Sequence, residues 1–205
     1  MKVVDARFVT SAADAGGIPR DGTPHIALVG RSNVGKSSVI NALTRAKLAR
    51  TSAAPGKTRL ANLYRIVVEG GAGGPGQWAV YLADLPGYGY ARGGAESVAE
   101  LARIADAYFA SGAVAVAGVL LVVDARHPGL EADVEAAAWL QTLATERAVI
   151  ANKVDKLSRG ERAKNLRELE RTLGMAALPI SAASGEGLDD LWTLIARLSR
   201  RPSRT

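Results

Sequence analysis

The segment from His25 to Thr44 reads HIALV, then GRSNVGKS, then SVINALT, and no other stretch narrows the possible folds as far. HIALV is an apolar run of strand length. Lys36 to Thr44 carries Val39, Ile40 and Leu43 at the spacing of one helix face. Between them, Gly30-Arg-Ser-Asn-Val-Gly-Lys-Ser37 fits G-x-x-x-x-G-K-[ST]. A buried strand, a glycine loop and a helix start in that order turn backbone N–H groups inward and make a cup for phosphate oxygens. A purely structural glycine loop is the competing reading. Chance would fill the four fixed positions in on the order of one per cent of chains this long, so the strand and helix on either side decide for phosphate.

The remaining pattern extends the βα unit. Asn62 to Glu69 and Trp78 to Asp84 read as strands joined by the loop Gly70 to Gly76, short enough for antiparallel pairing. Glu96 to Ser111 is helical by period, Val116 to Asp124 is an apolar central strand, and Leu130 to Leu143 is helical. Ala148 to Asn152, Gly160 to Leu173, Leu178 to Ser181 and Leu188 to Leu198 then read as strand, helix, strand and helix. The expected fold is a three-layer α/β domain. It has a mostly parallel sheet of about six strands, one edge strand antiparallel, and helices on both faces. One domain of 205 residues is expected, with 1–23 a lead-in, 24–198 the core and 199–205 a basic tail.

Zero cysteines exclude disulfides and thiolate metal sites, and two histidines are too few for a histidine cluster, which leaves oxygen ligation of a hard cation open. The longest apolar run, Ala113 to Val123, is too short to cross a bilayer, so a cytoplasmic protein is expected. The net charge of +6, partly in Arg197, Arg200, Arg201 and Arg204, suits either a polyanion partner or a solvated tail.

Within the loop Gly30, Arg31, Ser32, Asn33, Val34 and Gly35 would cradle phosphates, with Lys36 reaching the β- and γ-phosphates. Ser37 would ligate Mg²⁺, and Ser38 would touch the α-phosphate. Asp84, Leu85, Pro86 and Gly87 end the second apolar strand. Asp84 would hold Mg²⁺ through water, and the Gly87 amide would sense the γ-phosphate. Alone, D-x-P-G is ordinary turn chemistry; its position downstream of the loop favours the site reading. Arg45 to Ala61 has no period. Within it Gly56, Lys57, Thr58, Arg59 and Leu60 form a second candidate contact, where the Thr58 hydroxyl would complete the Mg²⁺ shell; Thr51 is its competitor. Lys36, Thr58 and Gly87 are the candidate catalytic groups.

Asn152-Lys-Val-Asp155 follows a strand at its carboxyl end, where open α/β sheets bind ligands. A carboxylate at Asp155 accepts from guanine N1–H and the exocyclic amine, and adenine offers neither. Lys153 would lay its stem over the purine, and Asn152 would bridge the base to the phosphate loop. Val154 completes that segment. Ile180, Ser181 and Ala182 end the next strand, with the Ala182 amide directed at guanine O6; Ser181 alone reads equally as a capping residue.

With these residues placed, the chain resembles the translation-factor-like GTPases, and within them the EngB (YihA/YsxC) family of bacterial ribosome-assembly GTPases. The similarity runs through FVTSAAD, GRSNVGKSSVINAL, PGKTR, DLPGYGYA, VVDARHPGLEADVE, NKVDKLSRGE and SAASGEGLDDLW. The resemblance implies a monomeric GTP/GDP-binding domain that acts in assembly of the large ribosomal subunit and is linked to cell division and septation. Asn152 departs from it, since the family often has threonine there.

Tyr88 stands where many small GTPases carry the glutamine that orients water, so slow turnover of roughly 10⁻⁴ to 10⁻² s⁻¹ is expected. A partner or an ion would accelerate it. Asn33 is similar to the asparagine of GTPases that use K⁺; the bland alternative is that it only stabilises the loop. Lys47, Arg50, Lys57, Arg59 and Arg92 lie in or beside the candidate switch loops and could contact RNA phosphates. Two other readings stay open: a GTP-gated binding module with incidental hydrolysis, and an ATP-dependent kinase, which Asp155 opposes.

Overall fold

The computed structural model describes residues 1–12, 15–49, 61–71, 76–88, 108 and 116–200. Seven strands form one sheet in the order β1-β3-β4-β2-β5-β6-β7. They are β1 (Lys2–Ala12), β2 (His25–Val29), β3 (Ala61–Glu69), β4 (Gln77–Asp84), β5 (Val116–Asp124), β6 (Arg147–Asn152) and β7 (Ala177–Pro179). The helices are α1 (Lys36–Thr44), α2 (Glu131–Thr142), α3 (Arg159–Leu173) and α4 (Leu188–Ser199). From β4 to β7 every neighbouring pair is parallel, whereas β3 runs antiparallel to both β4 and β1.

The alternation along β2 shows how the layers are built. Ile26 and Leu28 face α1 and α4, packing with Ile40, Leu43, Trp192 and Ile195. Ala27 and Val29 face α2 and α3, packing with Ala137, Leu140, Leu169 and Leu173. Both sides are covered, which explains the unbroken apolar runs Ile26 to Val29 in β2 and Val119 to Val123 in β5. The α4 stripe Leu191, Ile195 and Leu198 is buried to 2% exposure or less, and each such side chain contributes roughly 1.5–3 kcal/mol. Capping fixes the ends of α3. Ser158 and Glu161 form a reciprocal capping box at its start, and Gly174 closes it in a left-handed conformation.

The three-layer α/β arrangement expected from the periodicity is the one observed. Two details differ. The sheet has seven strands rather than about six, because the lead-in contains β1, paired to β3 from Lys2 against Glu69 to Ala12 against Ala61. Register shifts at Val3/Asp5 and Phe8/Thr10 break its alternation, so no clean period of two marks it. The last strand covers Ala177–Pro179 rather than Leu178 to Ser181. Of the expected helix Glu96 to Ser111, only Tyr108 is among the described residues, and it is helical and buried.

Candidate functional site

The carboxyl ends of β2, β4, β5 and β6 bring the candidate residues together. The loop from Gly30 leaves β2 and enters α1 with Gly35 at the helix N-cap, at φ 103°. A Cβ on Gly35 would stand 2.5 Å from Asn152 Nδ2, so glycine is needed there for conformation and for space. Asn33 also has positive φ, 64°. Lys36 is 8% exposed, and its Nζ donates to the carbonyls of Gly30 at 2.8 Å and Arg31 at 3.3 Å, curling the loop around the ammonium. Burial pushes this lysine below its ordinary value, and the Asp84 charge opposes that. Val34 packs in the core, and so contributes backbone only.

Ser37 Oγ donates to Asp84 Oδ2 at 2.6 Å. Burial raises the Asp84 carboxyl, while Lys36 and the Ser37 hydroxyl pull it down. A hydroxyl and a carboxylate on neighbouring elements supply hard oxygens and a negative charge, a donor set that fits Mg²⁺. Leu85 is core, and its amide donates to Leu28 O at 3.1 Å. Gly87 lies against the phosphate loop, where a Cβ would meet Ser32 N at 2.9 Å. Gly56, Lys57, Thr58, Arg59 and Leu60, with the competitor Thr51, lie outside the described residues, as do Arg50 and Arg92.

On the other side, Asn152 is 2% exposed and joins two segments. Its Nδ2 donates to Val34 O at 2.9 Å, and its Oδ1 accepts from the Ala182 amide at 3.1 Å. That amide, expected to point at a base, is thus bonded to Asn152. Lys153 has φ 70° and extends its Nζ to Asn33 O at 2.6 Å and Asp124 Oδ2 at 2.8 Å, so its stem crosses from β6 to the phosphate loop. Val154 and Ile180 are buried and connect through Val154 N to Ile180 O at 3.2 Å. Asp155 Oδ1 accepts from Ser181 Oγ at 2.6 Å, and that hydroxyl, with Lys156, lowers the carboxyl. Gly35, Ser38, Asn152, Lys153, Asp155 and Ala182 line one cavity of about 710 Å³, within the range of small-ligand pockets. Lys47, expected to face a partner, lines this cavity too.

Two acids escaped the sequence reading. Asp124, at the end of β5, binds Lys153 and, bidentately, Arg126 at 2.9 and 2.7 Å. Burial opposes its charge, but these partners outweigh burial and hold the carboxyl well below its usual range. Its place at the carboxyl end of a central strand was the available signal. Asp133, in α2, accepts from Tyr88 and Arg31. Nothing in the sequence separates it from an ordinary acid in a helix's first turn.

A glycine-lined loop after β2, a hydroxyl–carboxylate pair and a polar cavity beside the end of β6 form the arrangement expected of a P-loop GTPase. A family profile described as "50S ribosome-binding GTPase" matches residues 25–153. The "Probable GTP-binding protein EngB" of Anaeromyxobacter sp. (strain K) is 42% identical over 210 residues, covering 100% of this chain and 96% of that protein. The chain belongs to the EngB family of GTPases. Among solved structures, a probable GTP-binding protein engB superposes with a TM-score of 0.59 at 24% identity, covering 86% of this chain and 98% of that one. Era, solved in complex with MgGDPNP and nucleotides 1506–1542 of 16S ribosomal RNA, superposes with a TM-score of 0.66 at 22% identity over 88% of this chain. The chain spans 58% of that Era chain, and the likeness carries the fold alone.

Proposed function

We propose that the chain is a slow GTP-hydrolysing switch that binds GTP and GDP with Mg²⁺ and acts in assembly of the large ribosomal subunit. The observation that carries the nucleotide reading is the single cavity lined by both Gly35 and Ser38 of the phosphate loop and by Asp155. Ser37 and Asp84, with Thr58, would hold Mg²⁺, which supplies charge neutralisation at the phosphates when bound. This chain's own residues do the rest: Lys36 contributes a fixed ammonium, Asp155 selects the base, and Gly87 stands where a third phosphate would be felt. Calorimetry with GDP and ADP tests the assignment. Preference for GDP by about 10⁴ is expected, and equal binding would overturn it.

Slow hydrolysis is supported by Tyr88, which is 3% exposed and whose hydroxyl donates to Asp133, so this side chain is not free to orient water. The same observation supports the second reading, a GTP-gated binding module with incidental hydrolysis. Single-turnover hydrolysis with and without large ribosomal subunits separates the two, because the module reading expects no stimulation. K⁺ use through Asn33 is tested by comparing rates in K⁺ and Na⁺.

The ribosomal partner rests on the family's description and on the net charge of +6. Cosedimentation with large subunits should fall steeply as salt rises. No described helix is long and apolar enough to cross a membrane. A monomer in the cytoplasm, linked to cell division, completes the reading.

A further inference from the structure

Two segments of the site converge on one oxygen of a third. Asp133 Oδ1 accepts from Tyr88 Oη at 3.0 Å and from Arg31 Nε at 3.0 Å. Asp133 is 1% exposed. The backbone repeats the connection, since Arg31 and Tyr88 form a parallel bridge and Ser32 N donates to Tyr88 O at 3.1 Å. Tyr88 is therefore held by its main chain to the phosphate loop and by its side chain to α2. Gly87, its neighbour, lies directly over Ser32.

This network is a poor device for stability alone. Among the described residues, Asp133 Oδ2 and Arg31 Nη2 are buried without a hydrogen-bond partner, so the ion pair leaves part of its capacity unused. A buried pair of that kind is often matched or bettered by apolar groups of similar volume. What it does supply is geometry. These contacts fix the residue that follows Gly87 and so restrain the Gly87 backbone from its C-terminal side.

We propose that Asp133 is a positioning residue that sets where the Gly87 amide stands over the phosphate cup, and through it the preference for GTP over GDP. The proposal rests on the reading that Gly87 senses the third phosphate. The two nucleotides share the base and the α- and β-phosphates and differ in the γ-phosphate, which Gly87 would meet together with Lys36 and Thr58; of these, Gly87 adjoins Tyr88. Loosening Tyr88 therefore weakens one nucleotide and spares the other.

The test is calorimetric titration of GDP and a non-hydrolysable GTP analogue, with Mg²⁺, into the wild type, Asp133→Leu, Tyr88→Phe and the double variant. Each single change should weaken the GTP analogue about 5- to 30-fold and leave GDP within about twofold. The double variant should fall no further than Asp133→Leu, because that change already removes the hydrogen bond that Tyr88→Phe removes. Tyr88→Phe keeps the ring and the Arg31–Asp133 pair, so it carries the test if Asp133→Leu does not fold. Equal losses for both nucleotides would show a merely structural role and overturn the proposal, as would no loss in either. Gly87→Ala separates the two levels: if it fails to distinguish the nucleotides, the sensing reading falls. If it distinguishes them and the Asp133 and Tyr88 variants do not, only the Asp133 proposal falls.

Discussion

The side-chain amide of Asn152 donates to the carbonyl of Val34 at 2.9 Å, joining the end of β6 to the middle of the phosphate loop across 118 residues of chain. The same side chain accepts from Ala182. Replacing Asn152 with alanine leaves a buried carbonyl and an amide without their partners. Asn152→Ala should lose about 2 kcal/mol of stability in urea denaturation and weaken GDP and GTP to the same degree. Selective loss of one nucleotide would contradict the bridging role.

Asp155 offers acceptors only, which suits the donor edge of guanine. An amide in its place presents one acceptor and one donor. Asp155→Asn should therefore lose GDP affinity by 100-fold or more, on the order set by an unpaired hydrogen-bonding group, and gain xanthosine diphosphate, whose carbonyl replaces the guanine amine. Competition between the two diphosphates measures the exchange.

Gly35 combines φ 103° with a side-chain amide 2.5 Å from where a Cβ would sit. Gly35→Ala must strain the loop and displace Asn152. A stability loss of roughly 1–3 kcal/mol is expected from the backbone, together with loss of measurable nucleotide binding. Thermal unfolding with and without GDP reads both, since the ligand-induced rise in Tm should vanish.

His25 is 1% exposed beneath Tyr108 and Tyr81, with Nδ1 2.7 Å from Tyr108 Oη. Burial lowers its pKa to about 4, although Asp21 and the Pro19 backbone pull the other way. The unfolded chain takes up this proton near pH 6.5 and the folded chain does not until about pH 4. Stability from this group is thus complete above pH 6.5 and declines as pH falls toward 4. The decline is about 2 kcal/mol by pH 5 and about 3 kcal/mol by pH 4. Denaturant midpoints between pH 8 and 5 should drop more in the wild type than in His25→Leu; parallel slopes would refute it.

The phosphate loop and its flanking elements were legible because three signals coincide there. HIALV is apolar enough to be buried, the glycines sit at fixed offsets, and α1 has its own period, so β2, α1 and β5 have the bounds read from sequence. The segment Asn152 to Asp155 was legible as a strand end facing the same side as the glycine loop. β1 was not, because its partner β3 lies far along the chain and its two register shifts scatter exposed and packed positions, leaving Phe8 half exposed. Asp124 and Asp133 were missed for a related reason. A lone carboxylate becomes informative only when folding sets Lys153, Arg31 or Tyr88 beside it.

β2 lies between β4 and β5, hydrogen-bonded on both flanks, while the Ser181–Ala182 segment follows a three-residue strand at the outer margin of the sheet. The two halves of the pocket therefore differ in how freely they breathe. Opening the cup means disrupting the interior of the protein, but the β7 border can loosen while the rest stays intact. On the proposed reading, departure of a spent nucleotide would begin with its purine, and the phosphates would let go last.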